Sequence, residues 1–105
     1  MTSYLYRAKV LRWVDGDTVD LRVDLGFRMT TEQRFRLLGV DAPERGQPGH
    51  TAAREIAEAT APAGSLRTIE TLKSDKYGRW LVDMPDVRDA LFNAGLAGER
   101  NEGSS

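Results

Sequence analysis

The stretch "VDLRVDL", residues 19–25, alternates apolar and charged residues without a fault: Val19, Leu21, Val23 and Leu25 against Asp20, Arg22 and Asp24. Side chains of an extended strand point to opposite faces in turn, so a β-strand with one buried face puts all four aliphatics on the same side. A helix would scatter them among the charges. The chain must therefore supply partner strands. Residues 4–13, "YLYRAKVLRW", carry Tyr4, Tyr6, Ala8 and Val10 at the same period, and the intervening "DGD" is turn chemistry. After Gly26 the polar "RMTTEQR" reads as a turn or irregular edge. "FRLLGV" then reads as a third strand, with Phe35 and Leu37 on one face and Arg36, Leu38 and Val40 on the other.

The second half alternates element types. "HTAAREIAEATA", residues 50–61, has helix-forming composition with Ala52, Ala53, Ile56 and Ala59 as its apolar stripe. "LRTIETL" (66–72) and "WLVDM" (80–84) read as strands around a hairpin connection, "KSDKYGR". "PDVRDALFNAGLA" opens with Pro and an acid and reaches Gly95 after its last apolar period, the marks of a short helix and its stop. Five strands, one helix after the third and another at the end, suggest a small closed or nearly closed β-barrel of α+β class. The five-stranded OB-fold fits best. Residues 1–97 form one domain in this reading, and "GERNEGSS", residues 98–105, a disordered tail.

Length and composition narrow the functional classes. A chain of 105 residues supports one modest core. It has no cysteine, which excludes disulfides and thiolate metal sites and leaves oxygen ligands for any metal. No apolar run approaches membrane-spanning length and no signal-peptide pattern opens the chain, so a cytosolic monomer without membrane contact is the default expectation. A mature secreted form would read the same. The net charge of -1 rules out a global polyanion trap, so nucleic-acid binding must be local. Arginine supplies twelve of the fifteen basic residues, which suits bidentate phosphate contacts.

The charges cluster where strands end. Asp17 shares parity with Val19 and Leu21, so a strand starting by residue 17 turns its carboxylate inward, where burial demands compensation. In "FRLLGVDAPE" the third strand stops at Pro43, and Asp41 and Glu44 project from one corner. Singly, Asp15 reads as a hairpin turn, Arg36 as an edge-strand ion pair and Glu44 as a solvated loop residue. Together with the Arg of "DKYGR" they could supply a cation site, a base and two phosphate clamps. The lone histidine, His50, leaves too few parts for a histidine-based mechanism, and reads as a surface residue or cap neighbour. Trp13 and Trp80 lie on strands, where packing is commoner than base stacking.

These blocks, "VDGDTVDL", "FRLLGVDAPE", "SDKYGRWLV" and more loosely "VRDALFNAGLA", resemble the staphylococcal nuclease (thermonuclease) family, calcium-dependent phosphodiesterases on an OB-fold. The resemblance implies that Asp17 and Asp41 bind the metal with the backbone carbonyl of Ala42, a position often Thr in the family. It implies Glu44 as general base, Arg36 and Arg79 as phosphate-binding guanidiniums, and Lys76 and Tyr77 as contacts to a terminal phosphate. The implied activity is calcium-dependent hydrolysis of DNA or RNA with little sequence specificity, leaving 3′-phosphate ends. A noncatalytic nucleic-acid-binding OB module is the alternative. The family's further aromatic-bearing segment and helix have no counterpart after "GLA".

Overall fold

A computed structural model describes residues 3–72 and 80–99. The elements are β1 (Ser3–Asp15), β2 (Thr18–Gly26), β3 (Met29–Leu37), β4 (Val40–Asp41), α1 (His50–Thr60), β5 (Leu66–Leu72), β6 (Trp80–Asp83), α2 (Pro85–Asn93) and β7 (Gly98–Glu99). The five longer strands pair in the order β1-β2-β3-β6-β5, and β5 pairs back on β1, so the sheet closes into a ring. All junctions of the ring are antiparallel except β3 with β6, a parallel junction of three residue pairs among the described residues. The alternation of β2 holds through Val23: Val19, Leu21 and Val23 are buried in the ring among Val10, Phe35, Leu37, Ile69 and Val82, whereas Leu25, near the strand's end, is exposed.

Two bulges in β1 decide which side chains enter the core. Strict alternation from Tyr4 through Val10 would turn Trp13 outward. The register slips between Val10 and Arg12, however, so Leu11 is an extra residue and Trp13 pairs with Val19 facing inward. Trp13 is buried and its indole Nε1 donates to the Ala61 carbonyl at 2.9 Å, which satisfies its one polar atom. The same slip sends Arg12 to the outer face opposite Asp20.

The strand β3 begins earlier than the sequence reading has it. Phe27 and Arg28 both take left-handed backbone (φ 54° and 63°) and form a two-residue hairpin loop whose twist matches its strands. Met29–Arg34, read above as a turn or irregular edge, is continuous strand paired with β2. It is polar because little of it is covered: among the described residues only Phe35, Arg36 and Leu37 lie between β2 and β6, and these are the buried part of the strand. Leu37 ends the strand, Gly39 takes positive φ, and Val40–Asp41 becomes β4.

The helices close one side. In α1 the buried residues are Ala53 and Ala57, with Ile56 half-buried, whereas Ala52 and Ala59 are exposed. The stripe expected from the sequence thus reaches too far round the helix, since alanine's methyl does not declare a face. Pro85 opens α2, and it ends as the sequence predicts: Gly95 has φ 71°, and Leu96 N–H donates to Leu91 C=O at 3.0 Å. Gly98 and Glu99, assigned above to a disordered tail, instead form β7 and pair with Asp41 and Val40. The proposed hairpin connection "KSDKYGR" lies outside the described residues.

Candidate active site

The candidate site forms where the β1–β2 turn meets the end of β3. Gly16 and Asp17 make that turn, and the Asp17 C=O accepts from Leu37 N–H at 2.8 Å, locking the turn to the strand end. Gly16 is required by space: a Cβ there would lie 2.9 Å from Ala53 Cβ on α1 and 3.2 Å from Ala42 Cβ. Turn, helix and the Ala42 backbone therefore approach as closely as glycine and alanine permit. His50, at the start of α1, adds a polar tie, its Nε2 lying 2.8 Å from Asp15 Oδ1 and 3.3 Å from the Val14 carbonyl.

Asp17 is 1% exposed. Its Oδ1 accepts from Thr18 Oγ1 at 3.0 Å, and its Oδ2 accepts from Ala42 N–H at 3.0 Å. Arg36, also buried, brings Nη2 to 3.3 Å from Asp17 Oδ2 and 3.9 Å from Asp41 Oδ1. One guanidinium thus stands between two carboxylates, one deeply buried and the other 66% exposed at the side chain. The Nε of Arg36 is buried without a hydrogen-bond partner among the described residues, and Nη2 makes a long 3.4 Å contact with the Val40 carbonyl. A buried guanidinium with unused donors has capacity for a further anion.

Glu44 stands apart from this pair. Its side chain is exposed beyond Pro43, and its N–H donates to Gln47 Oε1 at 2.8 Å, which fixes the corner. A cleft of about 530 Å³ lined by Asp41, Ala42, Glu44, Gln47, Leu96 and Gly98 joins Glu44 to Asp41. On its other side Glu44 borders a groove of about 810 Å³ lined by Arg12, Arg34, Arg45, Arg54 and Glu58. Of the residues singled out in the sequence, Asp17, Arg36, Asp41 and Ala42 come together and Glu44 borders them. Arg79, Lys76 and Tyr77 lie outside the described residues. Trp80 is partly exposed and lines an apolar recess of about 460 Å³ with Tyr4, Tyr6 and Phe35, whose walls carry no carboxylate or guanidinium among the described residues.

The donors available for a metal are the carboxylates of Asp17 and Asp41 and nearby backbone carbonyls. No group of three or more His, Asp or Glu side chains placed to hold a metal occurs among the described residues. Two carboxylates held near one guanidinium give an oxygen-only set, which fits a hard divalent cation completed by carbonyl and water rather than zinc or copper.

Sequence reasoning missed Asp20. It faces outward from β2, yet it is only 7% exposed because Arg12 on β1 and Arg34 on β3 converge on it. Arg12 Nη1 donates to Oδ2 at 2.5 Å, and Arg34 donates through Nε at 2.8 Å and Nη2 at 3.2 Å. The Arg34 hydrogen bond holds the Asp20 carboxyl below its ordinary range against the opposing effect of burial, and Asp20 in turn raises Arg34. The bulge at Leu11 that places Arg12 there left no mark in the sequence.

No family model matches the chain. Among curated proteins it is 39% identical over 77 residues to a micrococcal nuclease of Shigella flexneri, covering 72% of this chain and 40% of the relative. Protein ParB of Escherichia coli is 36% identical over 76 residues, 71% of this chain and 39% of that protein. An uncharacterized endonuclease of Escherichia coli O157:H7 is 32% identical over 94 residues, 85% of this chain and 58% of that protein. The chain thus spans between about two fifths and three fifths of the length of these relatives. With these likenesses running through most of the described fold, the chain belongs to the staphylococcal nuclease-like family.

Proposed function

We propose that the closed ring is an OB-like barrel, that its described residues form one domain to which β7 belongs, and that it carries a calcium-dependent nuclease acting on DNA or RNA. The observation that carries this reading is the buried Arg36, flanked by Asp17 and Asp41 and with its Nε unpartnered among the described residues. Relatives named micrococcal nuclease and endonuclease support it. Asp17, Asp41 and the Ala42 carbonyl are the residues that would hold calcium, and the ion would supply polarisation of a phosphate oxygen. Arg36 donates to the phosphate's equatorial oxygens, which gain charge as the transition state forms. Glu44 accepts the proton of the attacking water. The water oxygen bonds to phosphorus in line with the 5′ oxygen as the P–O5′ bond breaks; the 5′ oxygen takes a proton from solvent and leaves as a hydroxyl, and the phosphate stays on the 3′ oxygen of the other fragment. Arg79 is assigned the second guanidinium, and Lys76 and Tyr77 a terminal phosphate, by position in "SDKYGR".

One observation favours a noncatalytic binding module instead: both oxygens of Asp17 already accept hydrogen bonds from the protein. The two readings separate on incubating single-stranded DNA and RNA with the protein in calcium or in chelator, followed by end-group analysis. Calcium-dependent products ending in 3′-phosphate support the nuclease. Intact substrate that is nevertheless retained on the protein supports the binding module.

A further inference from the structure

The groove beyond Glu44 is built by side chains that the cleavage chemistry does not use. Arg12, Asp20 and Arg34 form a row across the outer face of three adjacent strands, in direct register: Arg12 opposite Asp20, and Asp20 opposite Arg34. The carboxylate is almost wholly covered, whereas the side chains of Arg12 and Arg34 remain 63% and 62% exposed. Asp20 thus fixes two guanidiniums while using a minority of their donors. Two positive charges share one negative, so the row keeps a net positive charge. Arg54, reaching into the groove from α1, has its Nε buried without a hydrogen-bond partner among the described residues. Arg45 follows Glu44 directly and lines the same wall.

We propose that Arg12, Arg34, Arg45 and Arg54 dock the phosphodiester backbone of single-stranded nucleic acid, in a groove that runs from the cleft at Glu44 onto the outer face of β1–β3. The inference rests on the nuclease reading for its direction, since Glu44 lines both cavities. The acidic residues of the groove set how it works. Asp15, though tied to His50, lines the groove and bears on Arg34, so Asp15, Glu44 and Glu58 are the carboxylates facing the arginines. With nearly balanced charge, capture depends on oriented guanidinium forks rather than on a broad positive field. Forks match the paired oxygens of a phosphodiester, and those fixed beforehand by Asp20 lose less freedom on binding.

The test uses the full chain and a fluorescein-labelled dodecathymidylate, bound in chelator so that no cleavage intervenes, over a series of NaCl concentrations. The comparison variant combines Arg12→Gln, Asp20→Asn and Arg34→Gln, which removes the charges together and leaves no buried carboxylate unpaired. Arg54→Gln is a second variant, and far-ultraviolet circular dichroism checks the fold of each. Loss of two phosphate contacts should lower the slope of log affinity against log salt by about 1.4 and weaken binding about tenfold or more at low salt. Arg54→Gln should lower the slope by about 0.7. Wild-type affinity and slope in folded variants overturn the groove, and so does equal competition by polyglutamate, which would mean an acidic peptide surface. Wild-type protein that binds in chelator but leaves the oligonucleotide uncut in calcium counts against the nuclease reading and for the groove.

Discussion

Gly16→Ala tests whether the site's position depends on the close approach of turn and helix. Gly16 does not have the positive φ that alanine resists, so the substitution acts through space alone. The new methyl would lie 2.9 Å from Ala53 Cβ and 3.3 Å from the Ala53 backbone carbon. Carbon pairs settle at about 3.5 to 4.0 Å, so the helix must retreat by roughly half an ångström or more. Overpacking of this kind costs about 1 to 3 kcal/mol, and replacing glycine returns about 0.4 to 1 kcal/mol through the unfolded chain. A net loss of about 1.5 kcal/mol should lower the melting temperature by roughly 6 to 12 °C for a domain of this size. The same retreat disturbs Asp17, the next residue, and Ala42, whose N–H bonds it. Calcium-dependent cleavage should therefore fall as well, measured at a temperature where the variant is folded. The control is Ala53→Gly, alone and combined with Gly16→Ala. Glycine inside α1 costs about 1 kcal/mol by itself, but it removes the closest atom, so the double variant should be more stable than the two single losses predict. Strict additivity in urea denaturation, or a Gly16→Ala protein as stable and active as the parent, would refute the reasoning.

Four further outcomes are expected. Arg36→Met strips the guanidinium from buried Asp17 and should cost about 3 kcal/mol or more by urea denaturation, with part recovered when Asp17→Asn is added. Glu44→Gln, at an exposed corner, should leave stability unchanged and lower turnover about 100-fold; wild-type turnover at saturating calcium would remove Glu44 from the chemistry. Because the Asp20 carboxyl is held below its ordinary value in the folded chain, its contribution is present above about pH 4 and is lost as pH falls through the folded value. Acid titration of stability should therefore be shallower in Asp20→Asn, and identical profiles would mean that the Arg12 and Arg34 contacts do not persist in solution. Calcium together with a nucleotide bearing 3′ and 5′ phosphates, at about 100 times its dissociation constant, should add roughly 2.7 kcal/mol to stability, an effect lost in Asp41→Ala.

What the sequence made legible follows from how each residue declares itself. Alternating branched residues announced β2, and Pro and Gly bounded α2, because period and backbone restriction are local properties. Asp17, Arg36 and Asp41 could be singled out because each carries charge at a strand end, and the structure brings them within reach of one another. Trp13 was harder. Its burial depends on the extra residue at Leu11, and a bulge is a property of two paired strands rather than one. Asp20 looked like any solvent-facing acid, since its partners come from neighbouring strands whose register the sequence does not print. The polar start of β3 failed the alternation test because it lies beyond the covered part of the ring. Gly98 and Glu99 offered no side chain to bury, and their pairing with β4 is backbone alone.

The parallel junction of β3 with β6 has a consequence for how the molecule assembles. The hairpins β1–β2 and β2–β3 join neighbours in sequence and can form early, bringing Asp17 near Arg36 while both are still hydrated. The β6 strand follows α1 and β5 in sequence, and among the described residues it pairs with β3 at Phe35, Arg36 and Leu37. The step that seals the ring therefore also dehydrates the ion pair, setting lost hydration against gained apolar cover. The same three rungs are the seam at which the sealed molecule should breathe. The amide of Leu38, which donates across the seam to Val82 at 2.8 Å, is the natural reporter of that opening, and the Asp17–Arg36 pair meets water again each time it exchanges.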